Sequence, residues 1–291
     1  MRSDSLPGRP ASIEELCLYS RWPARLLGLE SFEQKTKTEA ELTREYEVEQ
    51  WKPLLDSAKK SPTPMKVGEV DQMMFGQNKD VFCCIQSEFR LMSGSECYAL
   101  YHELIANTLE SLLPCSSLVE IGAGYGSIIL NMTKRRPFLD LPIHAYEWTP
   151  SGRELTRELA ANEGLSSKIG FCDLNSEEVL DPIPPEGSII FTSSVFPCIP
   201  ELKKESILAL ARTKPKAVVH FEPIHEEYEE SSLWESMVLS YLRINDYNRN
   251  ALSVLESLEQ DNLIEITERR KACWGYNALL PHSVLIWKPS S

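Results

Sequence analysis

The feature that most constrains the fold of this chain is residues 118–127, which read LVEIGAGYGS. A short apolar run contains one acidic residue, continues into three glycines spaced two apart, and precedes the helix-compatible residues 128–132. Glycine lets the backbone turn tightly and leaves no Cβ to obstruct a ligand. A strand, a glycine-rich turn and a helix in this order build the nucleotide pocket of an open α/β sheet. We therefore expect an α/β fold with a ligand site at this turn.

The pattern of apolar residues divides the chain into two parts. Residues 11–113 read as mainly helical, with the clearest helix beginning at Ser95, where apolar and aromatic residues recur at three- and four-residue steps. Strands and helices then alternate, which is typical of a parallel sheet. The predicted strands are residues 117–121, 142–146, 168–172, 188–191, 217–221, 264–268 and 283–287. We therefore predict a helical N-terminal segment over residues 1–113 and a sheet domain over residues 114–291.

Charge and composition exclude several kinds of partner. The net charge is −13, and a nucleic-acid enzyme needs a basic stripe to neutralise phosphates. No apolar run approaches the ~20 residues of a membrane span, and an acidic protein is repelled by anionic lipid. The eight cysteines form no C-x-x-C pair, which favours reduced structural thiols. We expect a cytoplasmic protein with neither a nucleic-acid nor a membrane partner.

The acidic residue and the glycines at residues 120–126 have the form [D/E]-x-G-x-G-x-G, which resembles motif I of the class I S-adenosylmethionine (SAM) methyltransferases. A dinucleotide fingerprint has its third glycine where this chain has Ser127, which disfavours a nicotinamide oxidoreductase. The resemblance covers about residues 95–222 and identifies no subfamily. It implies SAM as cofactor and a seven-stranded, mostly parallel Rossmann-like sheet, preceded here by an N-terminal helical lid.

Three further strand ends carry residues that fit this resemblance. Glu147 follows the second strand, where a carboxylate can bind both ribose hydroxyls; the alternative is a solvated strand-end carboxylate. The resemblance implies that Asp173 and Leu174 contact adenine, although this segment also suits a turn. The loop after the fourth strand lacks the family's acidic residue, but Ser193 can line the methionine portion. The predicted cofactor-binding residues are Glu120, Gly122, Ala123, Gly124, Tyr125, Gly126, Glu147, Trp148, Asp173, Leu174 and Ser193.

The acceptor site is expected beyond the fourth and fifth strands. Glu222 and His225 are the predicted catalytic residues, because a hydroxyl acceptor must lose its proton during O-methylation. For the neighbouring His220, the alternative to a role in the site is a structural one, as a hydrogen-bonded histidine of the core. The pattern H-x-E-x-x-H at residues 220–225 lacks the helical histidine pair of H-E-x-x-H, so we predict no metal site.

A second group of candidate substrate-binding residues precedes the glycine-rich turn. Tyr98, Tyr101 and His102 share the helix that begins near Ser95, and Arg90 is a candidate anchor for a carboxylate. The alternative for the tyrosines is a place in the core, because aromatic residues at helical spacing often pack there.

The function predicted from sequence is a biosynthetic SAM-dependent methyltransferase for a small molecule or a short peptide, with O-, N- and C-acceptors left open. Two alternatives remain. One is transfer of an aminopropyl or aminocarboxypropyl group from the same cofactor class, and the other is a non-catalytic binding module with a methyltransferase fold. A homodimer is a further expectation that rests only on the frequency of twofold assemblies.

Overall fold

The computed structural model describes residues 6–32, 34, 36–76, 79–175 and 180–290. Within these ranges the strands form a single mixed sheet of eleven strands. In chain order they are β1 (Arg9–Pro10), β2 (Asp80–Ile85), β3 (Glu88–Ser93), β4 (Leu118–Ile121), β5 (Ile143–Tyr146), β6 (Ser167–Cys172), β7 (Leu180–Asp181), β8 (Ile189–Ser193), β9 (Ala217–Glu222), β10 (Ile264–Gly275) and β11 (His282–Pro289). Their order across the sheet is β1-β3-β2-β10-β11-β9-β8-β4-β5-β6-β7.

The centre of the sheet is parallel, as the alternation of strands and helices predicted. Strands β9, β8, β4, β5 and β6 are parallel neighbours, and helices cover both of their faces. Neighbouring residues of one strand face opposite layers, so Val218 and Val219 of β9 belong to different core clusters. Strand β11 pairs antiparallel with both β9 and β10, which makes the last two strands a hairpin.

The prediction of seven strands was too low. All seven are present, and β1, β2, β3 and β7 are additional. The hairpin β2–β3 lies within the N-terminal part that was predicted to be mainly helical, and its Cys84 and Ile85 pair with β10. Its two-residue turn, Gln86–Ser87, has positive φ at both positions, a turn usually marked by Asn-Gly. The usual turn residues that mark such a hairpin in a sequence were therefore absent. Residues 1–113 thus contribute strands to the same sheet as residues 114–291.

The helices lie on both faces of the sheet and at one edge. In chain order they are α1 (Leu16–Tyr19), α2 (Trp22–Leu26), α3 (Glu39–Leu42), a π-helix (Thr43–Trp51), α4 (Lys52–Lys60), α5 (Val67–Phe75), α6 (Gly94–Glu110), α7 (Ser127–Met132), α8 (Pro150–Asn162), α9 (Lys204–Arg212), α10 (Leu233–Ile244) and α11 (Ala251–Gln260). Helices α4–α8 contribute to the core of one face, and α9 and α11 to that of the other. Among the residues described, no helix has the length and apolar character needed to cross a membrane.

The position of the ligand site follows from strand direction. The parallel strands β4, β5, β6, β8 and β9 all end at one edge of the sheet, where β11 begins because it runs the opposite way. The N-terminal segment reaches this edge, because the π-helix and α4 pack against α8, and α5 packs against α7. The strand ends, the turns that follow them and the N-terminal helices therefore meet at this edge.

Candidate functional site

A cavity of about 750 Å³ lies at this edge of the sheet. Its volume falls in the range of about 300–1,000 Å³ that is usual for small-molecule sites. The turns after β4, β5, β6 and β8 contribute to its lining. The remaining lining residues come from residues 37–51 and 74–75, from α6, from Tyr241 and from residues 274–282.

The glycine-rich turn after β4 requires glycine at three positions. Gly122, Gly124 and Gly126 have φ values of +72°, +57° and +81°, in the left-handed region that other residues rarely adopt. A Cβ on Gly126 would lie 2.6 Å from Cγ2 of Thr156, so α7 could not begin as close to α8. The backbone N–H groups of Gly122 and Ala123 donate to the carbonyl of Tyr146 at 2.8 and 3.0 Å. The turn is therefore held against the end of β5.

Three carboxylates line the cavity at successive strand ends. Oε2 of Glu147 accepts from the N–H of Gly124 at 2.8 Å, and Oε1 accepts from the N–H and the hydroxyl of Thr149, both at 2.8 Å. Oε2 of Glu120 accepts from the N–H of Ile129 at 3.0 Å, and burial raises the pKa of Glu120 well above its usual range. Oδ1 of Asp173 accepts from the N–H of Asn175 at 2.8 Å. Carboxylate oxygens have two acceptor positions each, so these bonds leave capacity for ligand hydroxyl and amino groups.

All eleven predicted cofactor-binding residues fall in this region. Ten of them line the cavity: Glu120, Gly122, Ala123, Gly124, Tyr125, Glu147, Trp148, Asp173, Leu174 and Ser193. Gly126 lies one position further along and caps the N-terminus of α7. The structure therefore brings the predicted set together at one end of the sheet.

Two carboxylates fasten the N-terminal segment, one to the glycine-rich turn and one to the start of α8. Asp71 of α5 accepts from the hydroxyls of Tyr125 and Ser127 at 2.8 and 2.6 Å, and from Nδ2 of Asn131 at 2.7 Å. Glu47 of the π-helix accepts from the N–H and the hydroxyl of Ser151 at the start of α8, at 2.9 and 2.5 Å. A negative charge is favourable at that helix N-terminus.

Trp51, at the end of the π-helix, packs directly on the turn, since its ring would lie 2.9 Å from a Cβ on Gly124. Sequence analysis missed Glu47, Trp51 and Asp71. Each lies on a helix distant in sequence from the turn, and only the folded arrangement brings them to it.

Two of the predicted substrate residues line the cavity. The hydroxyl of Tyr101 is 2.6 Å from Oγ of Ser193, and its ring stacks on Trp274 with centroids 3.9 Å apart. Tyr98 donates to Oγ of Ser127 at 3.0 Å and stacks on Phe75. Both tyrosines are therefore packed and face the cavity at the same time.

The other two predicted substrate residues lie elsewhere. Arg90 is buried, and its guanidinium donates to the carbonyls of Leu6 and Gly8 and pairs with Glu88 at 3.2 Å. It fastens the N-terminal strand instead of facing the cavity. His102 lines a separate cavity beside Asp71, because one helical position turns it away from Tyr101. Burial lowers the pKa of His102 to about 4.

The structure also separates Glu222 and His225 from the cavity lining. Glu222 is fully buried, and its two oxygens accept from the N–H groups of Val195 and Phe196 at 2.9 and 3.0 Å. Burial raises the pKa of Glu222 to about 8 although these bonds oppose the shift. His225 lies in a short 3-10 helix with a buried Nε2 that has no partner among the described atoms. Neither side chain is part of the cavity lining, and that of Glu222 is bonded instead to the turn that follows β8.

His220 is a hydrogen-bonded core histidine, the alternative left open for it. Its Nε2 accepts from Nε1 of Trp287 at 2.9 Å, so Nδ1 carries the proton and donates to Oγ1 of Thr192 at 3.0 Å. Burial lowers the pKa of His220 to about 3.

Sequence analysis also missed a histidine that does line the cavity. His282 begins β11, and its Nε2 is 2.7 Å from Oγ of Ser194. The antiparallel direction of β11 brings its first residue to the edge where the parallel strands end. A prediction that this strand ran antiparallel to β9 would have found it.

The comparisons with known proteins agree with this architecture. Neither a known family model nor a curated protein sequence matches the chain. Among solved structures, a candidate sarcosine dimethylglycine methyltransferase from Galdieria sulphuraria is similar, with a TM-score of 0.53 at 12% identity over 77% of this chain and 98% of the other. A geranyl diphosphate methyltransferase in complex with GPP and sinefungin gives a TM-score of 0.50 at 10% identity, covering 82% of this chain and 98% of the other.

These similarities are structural and define no subfamily. Together with the sheet order and the glycine-rich turn after its first parallel strand, they show that the chain has the fold of the class I SAM-dependent methyltransferases.

Proposed function

We propose that this protein is a methyltransferase that transfers the methyl group of SAM to a small molecule or a short peptide. The observation that carries the proposal is the single cavity wall formed by a glycine-rich turn and three carboxylates at the ends of β4, β5 and β6. A degenerate pocket in a non-catalytic module would have no need to retain both the strained glycines and the carboxylates.

Each strand end of this wall suits a different part of the cofactor. Glu147 would accept a hydrogen bond from a ribose hydroxyl at the free position of its Oε2, and Asp173 with the backbone of Leu174 would bind adenine. Glu120 and the turn that begins at Gly122 lie where the amino-acid portion would be held. SAM supplies a methyl group that is already activated on a sulfonium, so the protein must mainly hold the acceptor in line and exclude water.

The cover of the cavity supports a compact acceptor. Trp51 and the π-helix close over the turn, and Phe75 and Tyr98 close the neighbouring side. A long polymer would need an open groove, whereas this cavity is bounded on several sides by separate segments of the chain. A small molecule or the end of a short peptide fits such a site.

Isothermal titration calorimetry with SAM, S-adenosylhomocysteine and NADH tests the proposal. We expect micromolar binding of the first two and no binding of NADH. Replacement Glu147→Gln should weaken SAM binding about 10- to 100-fold, because a ribose hydroxyl loses a charged acceptor.

The matched control is Glu154→Gln, since Glu154 is a half-exposed carboxylate on α8 that pairs with Lys59. Its SAM affinity should equal that of the wild type. Failure of the wild-type protein to bind SAM, or equal affinity in the Glu147→Gln variant, would contradict the assignment. A product analysis that found methylthioadenosine instead of S-adenosylhomocysteine would favour the aminopropyl-type transfer.

A further inference from the structure

Beyond the strand ends that suit the cofactor, the cavity continues to a second wall that contains a serine–histidine pair. Ser194 follows β8 and His282 begins β11, and their side chains meet with Oγ 2.7 Å from Nε2. Both residues line the cavity, and Ser194 is itself exposed. The hydroxyl of Ser194 is therefore accessible to a molecule held next to the cofactor, and His282 is buried behind it.

The hydrogen bonds of His282 determine which ring nitrogen can take up a proton. Nδ1 is 3.2 Å from the carbonyl oxygen of Leu280, and a carbonyl can only accept. Nδ1 therefore carries the hydrogen, and Nε2 presents its lone pair to the hydroxyl of Ser194. Burial lowers the pKa of His282 to about 4, so the ring is neutral at pH 7. A neutral imidazole oriented by a carbonyl is the usual arrangement of a proton acceptor.

The serine is presented by a strained and well-fixed turn. Ser194 has a φ of +59°, which is uncommon for a residue other than glycine and is concentrated at functional sites. Its N–H donates to the carbonyl of Phe221 at 3.2 Å. The next two N–H groups of the chain donate to Glu222. Glu222 is thus a positioning residue that holds the turn carrying Ser194.

The surroundings of the pair indicate the shape of the molecule that would bind there. The ring of His282 lies 5.3 Å from that of Trp274 and 5.7 Å from that of Tyr101, which stack on each other. Tyr276 and Leu280 continue this wall of the cavity. Tyr101, Trp274 and His282 are themselves buried, so Ser194, Tyr276 and Leu280 present most of the free surface of this wall. An aromatic ring and an aliphatic side chain beside one hydroxyl suit a flat, largely apolar molecule that is oriented by one hydrogen bond.

We propose that this wall, formed by Tyr101, Ser194, Trp274, Tyr276, Leu280 and His282, binds a flat aromatic acceptor through a hydroxyl group, and that His282 receives the proton of that hydroxyl through Ser194. The inference rests on the function proposed above. In the transfer, the acceptor oxygen forms a bond to the methyl carbon while the carbon–sulfur bond breaks, and its electron pair stays on sulfur. The hydroxyl proton passes to Oγ of Ser194 as the serine proton passes to Nε2.

The charge balance of the cavity favours this route. His282 would gain a positive charge in the same step in which the sulfonium charge disappears, so the buried site keeps the same net charge. A buried histidine is neutral beside a cation, and protonation becomes more favourable when that cation is lost. The low pKa of His282 in the resting protein is therefore compatible with its role in the reaction.

The test measures transfer of the radiolabelled methyl group of SAM to a matched panel of flat molecules. The probes are 2-naphthol, 2-naphthylamine and 2-naphthoic acid, together with phenol, aniline and benzoic acid. We expect transfer to a hydroxyl member, detected as its methyl ether by mass spectrometry. The variants His282→Ala, Ser194→Ala and the double variant should each lower kcat/KM by about 100-fold or more. Because the pair acts as a unit, the double variant should be no slower than either single variant.

Added imidazole should restore activity to His282→Ala at least about tenfold, which a purely structural role of the ring would not predict. The control is His144→Gln, a histidine of β5 that lies outside the cavity lining and should retain wild-type kcat/KM. SAM affinity, measured separately by calorimetry, should stay within about twofold in all variants.

Loss of SAM binding by the wild-type protein would contradict the proposed function itself. If SAM binds, methylation only of the amines or acids, or of none of the probes, would overturn the acceptor class. A His282→Ala variant within about threefold of the wild type would overturn the role of the histidine.

Discussion

The two walls of the cavity are built in different ways. The cofactor wall consists of short runs of residues at the ends of three neighbouring parallel strands, and backbone groups and carboxylates dominate it. The second wall combines side chains from α6, β10 and β11 with the turn after β8, and its Ser194 and His282 are 88 residues apart. The first wall depends mainly on local conformation, whereas the second depends on the pairing of distant strands.

The largest effect should come from the local conformation of the cofactor wall. We expect Gly122→Val to weaken SAM binding by about 100-fold or more, because Gly122 has a φ of +72° and a Cβ would overlap Val195. Calorimetry measures the affinity. The matched control is Gly164→Val, which has a φ of +70° but no atom within 4 Å of its Cβ. It should lose stability of about 1–3 kcal/mol from backbone strain and keep its SAM affinity, and equal losses of affinity in both variants would contradict the account.

The turn between the walls should depend on Glu222 for its stability. Glu222→Ala leaves the buried N–H groups of Val195 and Phe196 without an acceptor, so we expect a loss of about 2–3 kcal/mol in unfolding free energy. Denaturant unfolding followed by circular dichroism measures it, and Glu222→Gln should recover part of the loss. An unchanged stability with abolished transfer would instead favour the catalytic role first predicted for Glu222.

The core beneath both walls should lose stability in acid, because His220 takes up a proton when the protein unfolds. Burial lowers the pKa of His220 to about 3 in the folded protein, whereas in the unfolded chain it is about 6.5. Above pH 6.5 the ring is neutral in both states, so protonation costs the folded protein no stability there. Stability is lost as pH falls from there toward 3. We expect His220→Gln to reduce the slope of unfolding free energy between pH 6.5 and 4 by about 1.4 kcal/mol for each pH unit. Identical slopes would show that His220 is not protonated on unfolding.

The smallest effect should come from Asp71, which anchors the cofactor wall from a distant part of the sequence. Asp71 accepts from Tyr125, Ser127 and Asn131, and Asp71→Asn removes its charge and one acceptor atom. We expect SAM binding to weaken about fivefold to tenfold, with Asp56→Asn on the exposed face of α4 as the control. No change in affinity would mean that the turn holds its conformation without the N-terminal segment.

The contrast between the walls also explains which features the sequence predicted. The turn at residues 120–127 and the carboxylates Glu120, Glu147 and Asp173 follow strands whose apolar runs are readable over a few residues. Strand β11 was predicted, but its position between β9 and β10 depends on long-range pairing, so His282 was missed. Hairpin β2–β3 was missed because its turn, Gln86–Ser87, lacks the usual residues.

Candidate residues chosen by chemical type alone were the least successful. Glu222, His225 and Arg90 carry suitable functional groups, but the structure places them under a turn, in a 3-10 helix and beneath the N-terminal strand. Which side chains face the cavity depends on how far each strand extends, and a sequence pattern fixes strand ends only to within a few residues.

The most direct test of the central claim is a crystal structure of the protein with S-adenosylhomocysteine. We predict that the adenosine lies at the ends of β5 and β6, with a ribose hydroxyl bonded to Glu147 and its adenine beside Asp173. The sulfur should then face the turn that carries Ser194. Binding of S-adenosylhomocysteine at another place, or a cavity in which Trp51 and the turn leave no room for it at saturating concentration, would contradict the account.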